Sequence, residues 1–295
     1  MTKLDGLGES ELLRRILPYI ATEGFEIAAG EDDAAAWGDD GAGYTVASCD
    51  VSVEGVHFDL GWMTSEDAGW RALALALGDL AAKGATPWWA LVSIACPRSW
   101  SVEDFEGLYR GMAELAHKVH LQIVGGDMSS IDGPAVLSIA VVGRTSARPL
   151  PRSEAQPGWA VAVTGALGAS TLALRQRQAL RFEPLLAEGR RLNQAGLCCG
   201  DISDGLVREM HKFAEMSGAG CVIRAADVPI ADGATLEDAL TGGEEPELVC
   251  AGPEELVRAA GLRPIGVLTE DAAIRVVGAD EMPMHLKLSG YDHFA

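Results

Sequence analysis

The segment from residue 69 to residue 85, GWRALALALGDLAAKGA, constrains the fold more than any other part of the chain. It is a helical sequence that is apolar almost all round, and such a helix has to be buried. Its charged residues are Arg71, Asp79 and Lys83. Because an isolated buried charge is costly, the Asp79 carboxylate must be paired or must coordinate something. The simplest alternative is an i,i+4 ion pair between Asp79 and Lys83.

Strand-like runs alternate with helical patterns along the rest of the chain, which predicts an α/β or α+β architecture. Capping-box-like starts at Thr64 and Ser101 predict helices through about residues 83 and 119. The polar, proline-rich segment SARPLPRSEAQPG has the composition of a connection. We therefore expect two domains, residues 1–147 and 148–295. The predicted strands cover residues 44–49, 89–95, 135–142, 160–164 and 221–224, and the later helices cover 168–195 and 205–216.

The charge balance argues against several classes of partner. The chain has 295 residues, 43 acidic against 23 basic, and a formal net charge of −20. Nucleic acids and anionic membranes bind basic surfaces, so neither is an expected partner. The N-terminus lacks a signal-type apolar core, and the longest apolar stretch, residues 72–77, is far too short to span a bilayer. We expect a cytoplasmic protein whose six cysteines are reduced thiols in or near the core.

Acidic residues recur beside glycine or at predicted strand ends, where rigid elements would hold their oxygens on loops. Hard cations such as Mg²⁺ require oxygen ligands of this kind, and anionic substrates of so acidic a protein would need metal ions. Each aspartate alone has an ordinary alternative as a turn former or helix cap; Asp204, for example, could cap the helix that starts at residue 205. The residues concerned are Asp32, Asp33, Asp50, Asp127, Asp201 and Asp204.

Glycine-rich stretches raise the question of phosphate binding. Gly125 and Gly126 follow the strand-like residues 121–124, where they would either let the backbone approach a phosphate or form a tight turn. The stretch TGALGAST, residues 164–171, resembles a glycine-rich helix start but lacks the lysine of a Walker loop. A nucleotide enzyme without that lysine would have to neutralise phosphate charge with metals held by several carboxylates.

Three further residues are candidates for a substrate site. His57 lies in EGVHF, Glu244 in the glycine-rich GGEEPEL, and Tyr291 in the terminal SGYDHFA. The π face of Tyr291 could stack on a cation. The alternatives are a structural histidine, a solvated turn acid and a tail packed for stability.

These motifs together resemble the thiamine-monophosphate kinase family, within the ATP-dependent superfamily that includes aminoimidazole ribonucleotide synthase. The match runs along nearly the whole chain, and VEGVHF and GYDHF resemble the kinase branch specifically. The blocks that carry the resemblance, in family order, are EDDAA, SCDVSVEGVHF, ALALGDLAAKGATP, IVGGD, RSEAQPG with VTGALGAS, DISDGL, GGEEPEL and GYDHF.

The resemblance implies a two-domain aminoimidazole ribonucleotide synthase-like fold, a homodimer formed through the N-terminal sheet, and ATP-dependent phosphorylation of thiamine monophosphate with several Mg²⁺ ions. It implies ATP contacts at Gly125, Gly126, Asp127, Arg152 and Ser203, and substrate contacts at His57, Glu244 and Tyr291. The implied metal positions are Asp32, Ser48, Cys49, Asp50, Asp79, Asp127, Asp201 and Asp204.

No catalytic base is expected for this chemistry, because the attacking phosphate oxygen is already largely ionised near neutral pH. Two alternatives to this function stay open at the sequence level. The acceptor could be that of another superfamily enzyme, or the chain could be a divergent relative that binds nucleotide or thiamine phosphates without turnover. Met128 and Glu245-Pro246 depart from the usual family motifs and motivate the second alternative; Cys49 is a further departure.

Overall fold

Two β-sheets, one built from each half of the chain, set the architecture. The computed structural model describes residues 4, 7–39, 41, 43–284, 290, 291, 293 and 294. The first sheet has the order β1-β2-β5-β3-β4 and the second β11-β8-β10-β6-β9-β7. The strands are β1 (Ala35–Gly38), β2 (Tyr44–Val53), β3 (Thr86–Cys96), β4 (Gln122–Ser130), β5 (Val136–Thr145), β6 (Ala160–Val163), β7 (Cys198–Ile202), β8 (Gly220–Arg224), β9 (Glu245–Gly252), β10 (Pro264–Thr269) and β11 (Ile274–Val277).

The helices cover the sheets and confirm the predicted mixed architecture. Thr64 and Ser101 cap α2 and α3 through their side chains, as predicted. The expected helical region 168–195 contains two short helices, α4 and α5, rather than one. The helices are α1 (Glu9–Ile16), α2 (Ser65–Ala82), α3 (Val102–Lys118), α4 (Ala169–Arg175), α5 (Leu186–Gln194), α6 (Leu206–Ser217), α7 (Leu236–Thr241) and α8 (Glu254–Ala259).

Helix α2 is the buried helix that its sequence predicts. Leu73, Leu77 and Leu80 are fully buried. Small residues allow close packing around α2: a Cβ on Gly69 would lie 2.0 Å from the Leu108 carbonyl oxygen of α3. A Cβ on Gly189 of α5 would lie 1.8 Å from the Ala81 carbonyl oxygen. Helix α2 is therefore held between the first sheet, α3 and an element of the second half.

The strands of the first sheet have two chemically different faces. Asp50 pairs with Ile139 in register, and Ile139 pairs with Val92, so these side chains share the inner face that packs on α2. Cys49 and Val51 lie on the outer face and are exposed. The two faces thus separate residues that are adjacent in sequence.

The division into domains 1–147 and 148–295 stays a prediction. Every strand of the first sheet precedes residue 146 and every strand of the second follows residue 159. One hydrophobic cluster nevertheless contains residues of both halves, including Leu77, Leu137, Leu186 and Cys250. The two halves consequently share part of their apolar core.

Within the part of the chain that the structure describes, no helix combines the length and the apolar character that crossing a membrane would require.

Four of the six cysteines, Cys198, Cys199, Cys221 and Cys250, are buried free thiols, as expected. Cys49 is also free but exposed, so the expectation of a core thiol is wrong there.

Candidate functional site

A cleft of about 1330 Å³ is lined by residues of both halves of the chain and extends over the outer face of the first sheet. It contains most of the acidic residues that the sequence singled out, brought from loops, strands and a helix far apart in the chain. The predicted site residues that line it are Asp32, Ser48, Cys49, Asp50, His57, Asp79, Asp201, Ser203, Asp204 and Glu244. The predicted convergence of carboxylates from both halves is therefore observed.

Three carboxylates form the centre of the cleft. Asp33 precedes β1, Asp79 lies on α2 and Asp201 lies near the end of β7. Each offers an oxygen, and these oxygens all lie within 4.8 Å of one another. Asp50 on β2 faces the same region from the inner side of the first sheet. This arrangement provides oxygen donors of the kind that Mg²⁺ binds.

The protonation behaviour of these carboxylates reflects their crowding. Burial, followed by the charges of Asp201 and Asp33, raises the pKa of Asp50 to about 7. Burial, followed by the charges of Asp50 and Asp33, raises the pKa of Asp79 to about 8. Burial and the Asp79 charge likewise raise the pKa of Asp201 well above its ordinary value. A cation bound among these carboxylates would stabilise their ionised forms.

Asp33 behaves differently from its neighbours. Burial raises the pKa of its carboxyl group, but the charges of Arg152 and Lys212 outweigh burial and leave the pKa below its ordinary value. Arg152 Nη2 lies 2.9 Å from Asp33 Oδ2, and Lys212 Nζ lies 3.2 Å from the same oxygen. Asp33 is therefore ionised at the centre of the cleft.

The neighbouring Asp32 points away from this cluster into a buried ion pair. Its oxygens accept from the backbone nitrogen of Arg152 at 2.8 Å, from Arg152 Nη1 at 2.5 Å, and from Lys83 Nζ. Lys83 also donates to the carbonyls of Leu150 and Cys199. The alternative of an Asp79–Lys83 pair is thus wrong. Metal binding by Asp32 stays a prediction, but the structure presents Asp33 in the central cluster and engages both Asp32 oxygens elsewhere.

Arg152, predicted to contact ATP, is completely buried behind the carboxylates. Its Nη2 lies 2.7 Å from Glu209 Oε2 and 3.6 Å from Asp201 Oδ1. Together with its bonds to Asp32, these contacts hold the central carboxylates in position from the buried side. Glu209 is not among the predicted site residues, although its place on the apolar face of α6 beside Leu206 and Met210 is a signal for a buried carboxylate.

The stretch DISDGL ends β7 and leads into α6. Helix α6 has Gly205 as its N-cap and no side-chain cap bond, so the alternative of Asp204 as a helix cap is wrong. The Ser203 carbonyl accepts from the Glu244 backbone nitrogen at 2.7 Å. The Asp204 carbonyl accepts from the Tyr291 backbone nitrogen at 3.1 Å. This loop therefore connects the carboxylate cluster to both predicted substrate segments.

The β2 strand divides its predicted residues between two environments. Ser48 donates a hydrogen bond to Asp79 Oδ2 on the inner face. The Cys49 thiol is on the outer face, 3.3 Å from the Ser138 hydroxyl. The side chain of Cys49 therefore points away from the central carboxylates, and its metal role stays a prediction.

Gly125, Gly126 and Asp127 lie within β4, so both the loop and the tight turn expected there are wrong. A Cβ on Gly126 would lie 1.7 Å from the Val92 carbonyl oxygen of β3. The close approach of β3 therefore requires a glycine at this position. Asp127 pairs in register with Ser93 on the outer face. Within one chain, Asp127 is three strands from β2, roughly 14 Å at the usual strand spacing. The predicted ATP and metal roles of these residues remain untested.

His57 and His293 line the cleft and belong to a connected group of aromatic and histidine side chains. His57 Nδ1 accepts from the Val53 backbone nitrogen at 3.0 Å, and burial lowers the pKa of His57. The His57 and His293 rings lie 5.2 Å apart, and Tyr291 packs edge-on against His293 at 4.7 Å. The predicted substrate residues His57 and Tyr291 are thereby brought together, with Tyr291 about half exposed. Asp292 lies outside the described residues.

The glycine-rich start of α4 already holds an anionic group from the protein itself. Glu245 Oε1 accepts from the backbone nitrogens of Gly168 at 3.0 Å and Ser170 at 3.1 Å. Burial raises the pKa of Glu245 to about 7, although these bonds oppose the shift. In this structure, Glu245 therefore occupies two backbone donors of the stretch TGALGAST.

We expect Glu245→Gln to remove part of the pH dependence of stability. The pKa of Glu245 in the folded protein, about 7, lies above its ordinary value of 4.5. Its contribution is therefore fully present below pH 4.5 and is lost as the pH rises through 7. The shift corresponds to about 3 kcal/mol. Urea unfolding at pH 5 and pH 8 should show the wild type losing about that much more stability than the variant; equal losses would contradict the prediction.

Comparisons with known proteins agree with this geometry. A family model described as AIR synthase related protein, N-terminal domain, matches residues 31–145. A thiamine-monophosphate kinase from Bacillus subtilis (strain 168) is 33% identical over 302 residues, which cover 87% of this chain and 92% of the relative. The chain belongs to the thiamine-monophosphate kinase family. A relative of the same name from Methanopyrus kandleri is 31% identical over 294 residues, covering 91% and 92% of the two chains.

Solved structures of the thiamine-monophosphate kinase family share the fold. The structure of AaThiL complexed with AMPPCP and TMP matches with a TM-score of 0.84 and 27% identity, over 100% of this chain and 99% of that one. A thiamine monophosphate kinase from Aquifex aeolicus matches with a TM-score of 0.71 and 26% identity, over 85% and 92% of the two chains. The aminoimidazole ribonucleotide synthase-like fold predicted from the motifs is thus confirmed.

Proposed function

We propose that the protein uses ATP to phosphorylate thiamine monophosphate, giving thiamine diphosphate. Membership of the family supports the reaction, and the convergence of Asp33, Asp79 and Asp201 in one cleft is the observation that carries it. Two anionic molecules have to meet for this chemistry. A cleft whose own walls are acidic can accept them together only with cations in between.

The residues present fit several Mg²⁺ ions. Their donors are carboxylate oxygens, and buried Asp201 Oδ1 has no hydrogen-bond partner within the described residues. Asp33, Asp79 and Asp201 would hold the metal, with Asp50 and Asp204 beside them. Bound Mg²⁺ supplies charge neutralisation for the phosphates.

The protein's own groups would then position the reactants. Arg152 and Lys212 hold the carboxylate cluster, and Ser203 lies on the loop where ATP contacts are expected. No side chain need remove a proton, because the second pKa of a phosphate monoester is about 6. The proposed catalysis therefore consists of in-line placement and electrostatic stabilisation.

The part of the cleft beside His57 and His293 suits the cationic part of thiamine monophosphate. His57, His293 and Tyr291 form a connected aromatic group there, and Glu244 supplies a carboxylate. An aromatic face and a carboxylate both attract a thiazolium ring.

Tyr291→Ala is expected to raise the KM for thiamine monophosphate by about tenfold, the scale of one cation–π contact. The KM for ATP should change much less, since Tyr291 lies at the substrate end. Steady-state kinetics with each substrate varied in turn measures both values. Equal increases in the two KM values would remove Tyr291 from the substrate site.

We propose further that the active form is a homodimer whose subunits meet on the outer face of the first sheet. This face is open in one chain and carries the exposed apolar side chains of Val51 and Leu91, which is unusual for a free sheet. Asp127 lies on the same face, remote from its own chain's carboxylate cluster. Pairing of two sheets would therefore bring Asp127 of one subunit toward the cleft of the other.

The decisive experiment is incubation of the purified protein with ATP, Mg²⁺ and thiamine monophosphate, followed by chromatography of the products. Thiamine diphosphate formed together with ADP supports the proposal. ATP binding by calorimetry without any thiamine diphosphate would instead favour a non-catalytic binder. A cytoplasmic location and the absence of nucleic-acid and membrane partners remain predictions from the sequence.

A further inference from the structure

Arg71 is a buried cation that the proposed chemistry leaves unexplained. It lies on α2 with only 2% of its surface exposed. Its Nη2 forms an ion pair with Glu244 Oε2, across 173 residues of sequence. Its Nε and Nη1 atoms are buried and have no hydrogen-bond partner among the described residues. Burial of a guanidinium with a single partner is costly, so the contact with Glu244 has to matter for another reason.

The backbone of Glu244 is held firmly while its side chain depends on Arg71. Its nitrogen donates to the Ser203 carbonyl at 2.7 Å, and its carbonyl accepts from the Ser170 hydroxyl at 2.6 Å. The residue has φ of +57°, in the left-handed region that non-glycine residues rarely adopt. Glu244 Oε1 has no hydrogen-bond partner within the described part of the chain. The direction of the carboxylate is thus set by its one ion pair.

The pair is separated along α2 from the carboxylate cluster. Arg71, Leu75 and Asp79 follow one another at i, i+4 and i+8, so they lie on one side of the helix. Eight residues correspond to about 12 Å along the helix axis. Leu75, Asp79 and Glu244 all line the cleft. The ion pair is therefore about two helical turns away from the carboxylates that are proposed to bind the metal.

We propose that Arg71 is a positioning residue that orients Glu244 toward the cationic end of thiamine monophosphate and so determines specificity for that substrate. The inference rests on the proposed function. The pair is neutral overall when both residues are present. Loss of Glu244 alone leaves a buried, unpaired guanidinium that repels a cationic ligand, whereas loss of both residues removes the repulsion together with the attraction.

The test compares four variants: Arg71→Met, Arg71→Lys, Glu244→Gln and the double variant Arg71→Met/Glu244→Gln. Arg71→Met should raise the KM for thiamine monophosphate about 10- to 100-fold, the range for a hydrogen bond to a charged group, with kcat and the KM for ATP nearly unchanged. Arg71→Lys should restore part of the loss, because it keeps the charge. Glu244→Gln should be more damaging than the double variant.

Arg110→Met is the matched control, since Arg110 forms an exposed ion pair with Glu66 on the far side of α2. It should leave both KM values unchanged. Thermal unfolding of each variant identifies those that fold. Equal changes in the KM for ATP and for thiamine monophosphate, or a double variant worse than Glu244→Gln, would overturn the role of Arg71.

Calorimetric titration with thiamine monophosphate separates this inference from the proposed function. If the wild type binds thiamine monophosphate but forms no product, the proposed catalysis fails while the effect of Arg71 on binding is still measured. If Arg71→Met binds thiamine monophosphate as tightly as an active wild type, the role of Arg71 fails and the catalysis stands.

Discussion

Asp79→Asn is expected to lower kcat by about 1000-fold or more, the scale on which single electrostatic contributors to phosphoryl transfer act. The asparagine keeps the size of the side chain and can still accept the hydrogen bond from Ser48. It removes one of the three carboxylates whose oxygens meet in the centre of the cleft. The loss should therefore appear in the chemistry and in the response to Mg²⁺, and much less in the fold.

Asp79→Asn should lower activity but should stabilise the folded protein when Mg²⁺ is absent. Burial and neighbouring acids raise the pKa of Asp79 to about 8, so its ionisation opposes folding as the pH rises from its ordinary value toward 8. In the presence of a chelator, the variant should melt at a higher temperature than the wild type at pH 8. Added Mg²⁺ should raise the melting temperature of the wild type more than that of the variant.

Product formation across a Mg²⁺ series, with calorimetric scans at each concentration, measures both effects. Asp132→Asn is the control, because Asp132 is an exposed aspartate in the turn between β4 and β5. It should keep full activity and the wild-type response to Mg²⁺. An Asp79→Asn enzyme with unchanged kcat and an unchanged Mg²⁺ dependence would show that the central carboxylates do not bind the metal.

Periodicity and burial explain which parts of the site could be predicted. Asp79 stands in a helix that is apolar all round, so its carboxylate had to face something polar inside the protein. Thr64 and Ser101 fixed two helix starts through local hydrogen bonds that the sequence specifies directly. Asp201 lies near the end of the buried strand β7, and Asp204 lies in the loop between β7 and α6, where a rigid frame holds its oxygens.

The other parts of the candidate site depend on long-range contacts that no local sequence pattern encodes. Lys83 pairs with Asp32, 51 residues away, rather than with Asp79 on its own helix. That choice decides which of two adjacent aspartates enters the central cluster. Likewise, Asp127 follows two glycines that read as a turn, yet close packing against β3 keeps all three residues in a strand. The strand order of the sheet therefore determines how far Asp127 lies from β2, and the register determines its face.

A heterodimer with Asp127→Asn in one subunit and Asp201→Asn in the other should recover about half of the wild-type activity, although each variant homodimer is expected to be inactive. Asp127 lies on the outer face of the first sheet, roughly 14 Å from β2, while the cluster with Asp201 lies on the inner side. If one subunit supplies Asp127 to the other subunit's cleft, the heterodimer contains one intact site and one site with both substitutions.

Co-expression with two different affinity tags and sequential purification isolates this heterodimer for the assay of product formation. The matched control carries both substitutions in the same subunit, paired with a wild-type subunit. With sharing between subunits, each of its clefts contains one substitution, so the control should be inactive. If each subunit instead uses its own Asp127, the two outcomes exchange: the control is half active and the mixed heterodimer is inactive. The location of a single carboxylate on a strand face thereby decides whether one chain can form a complete site.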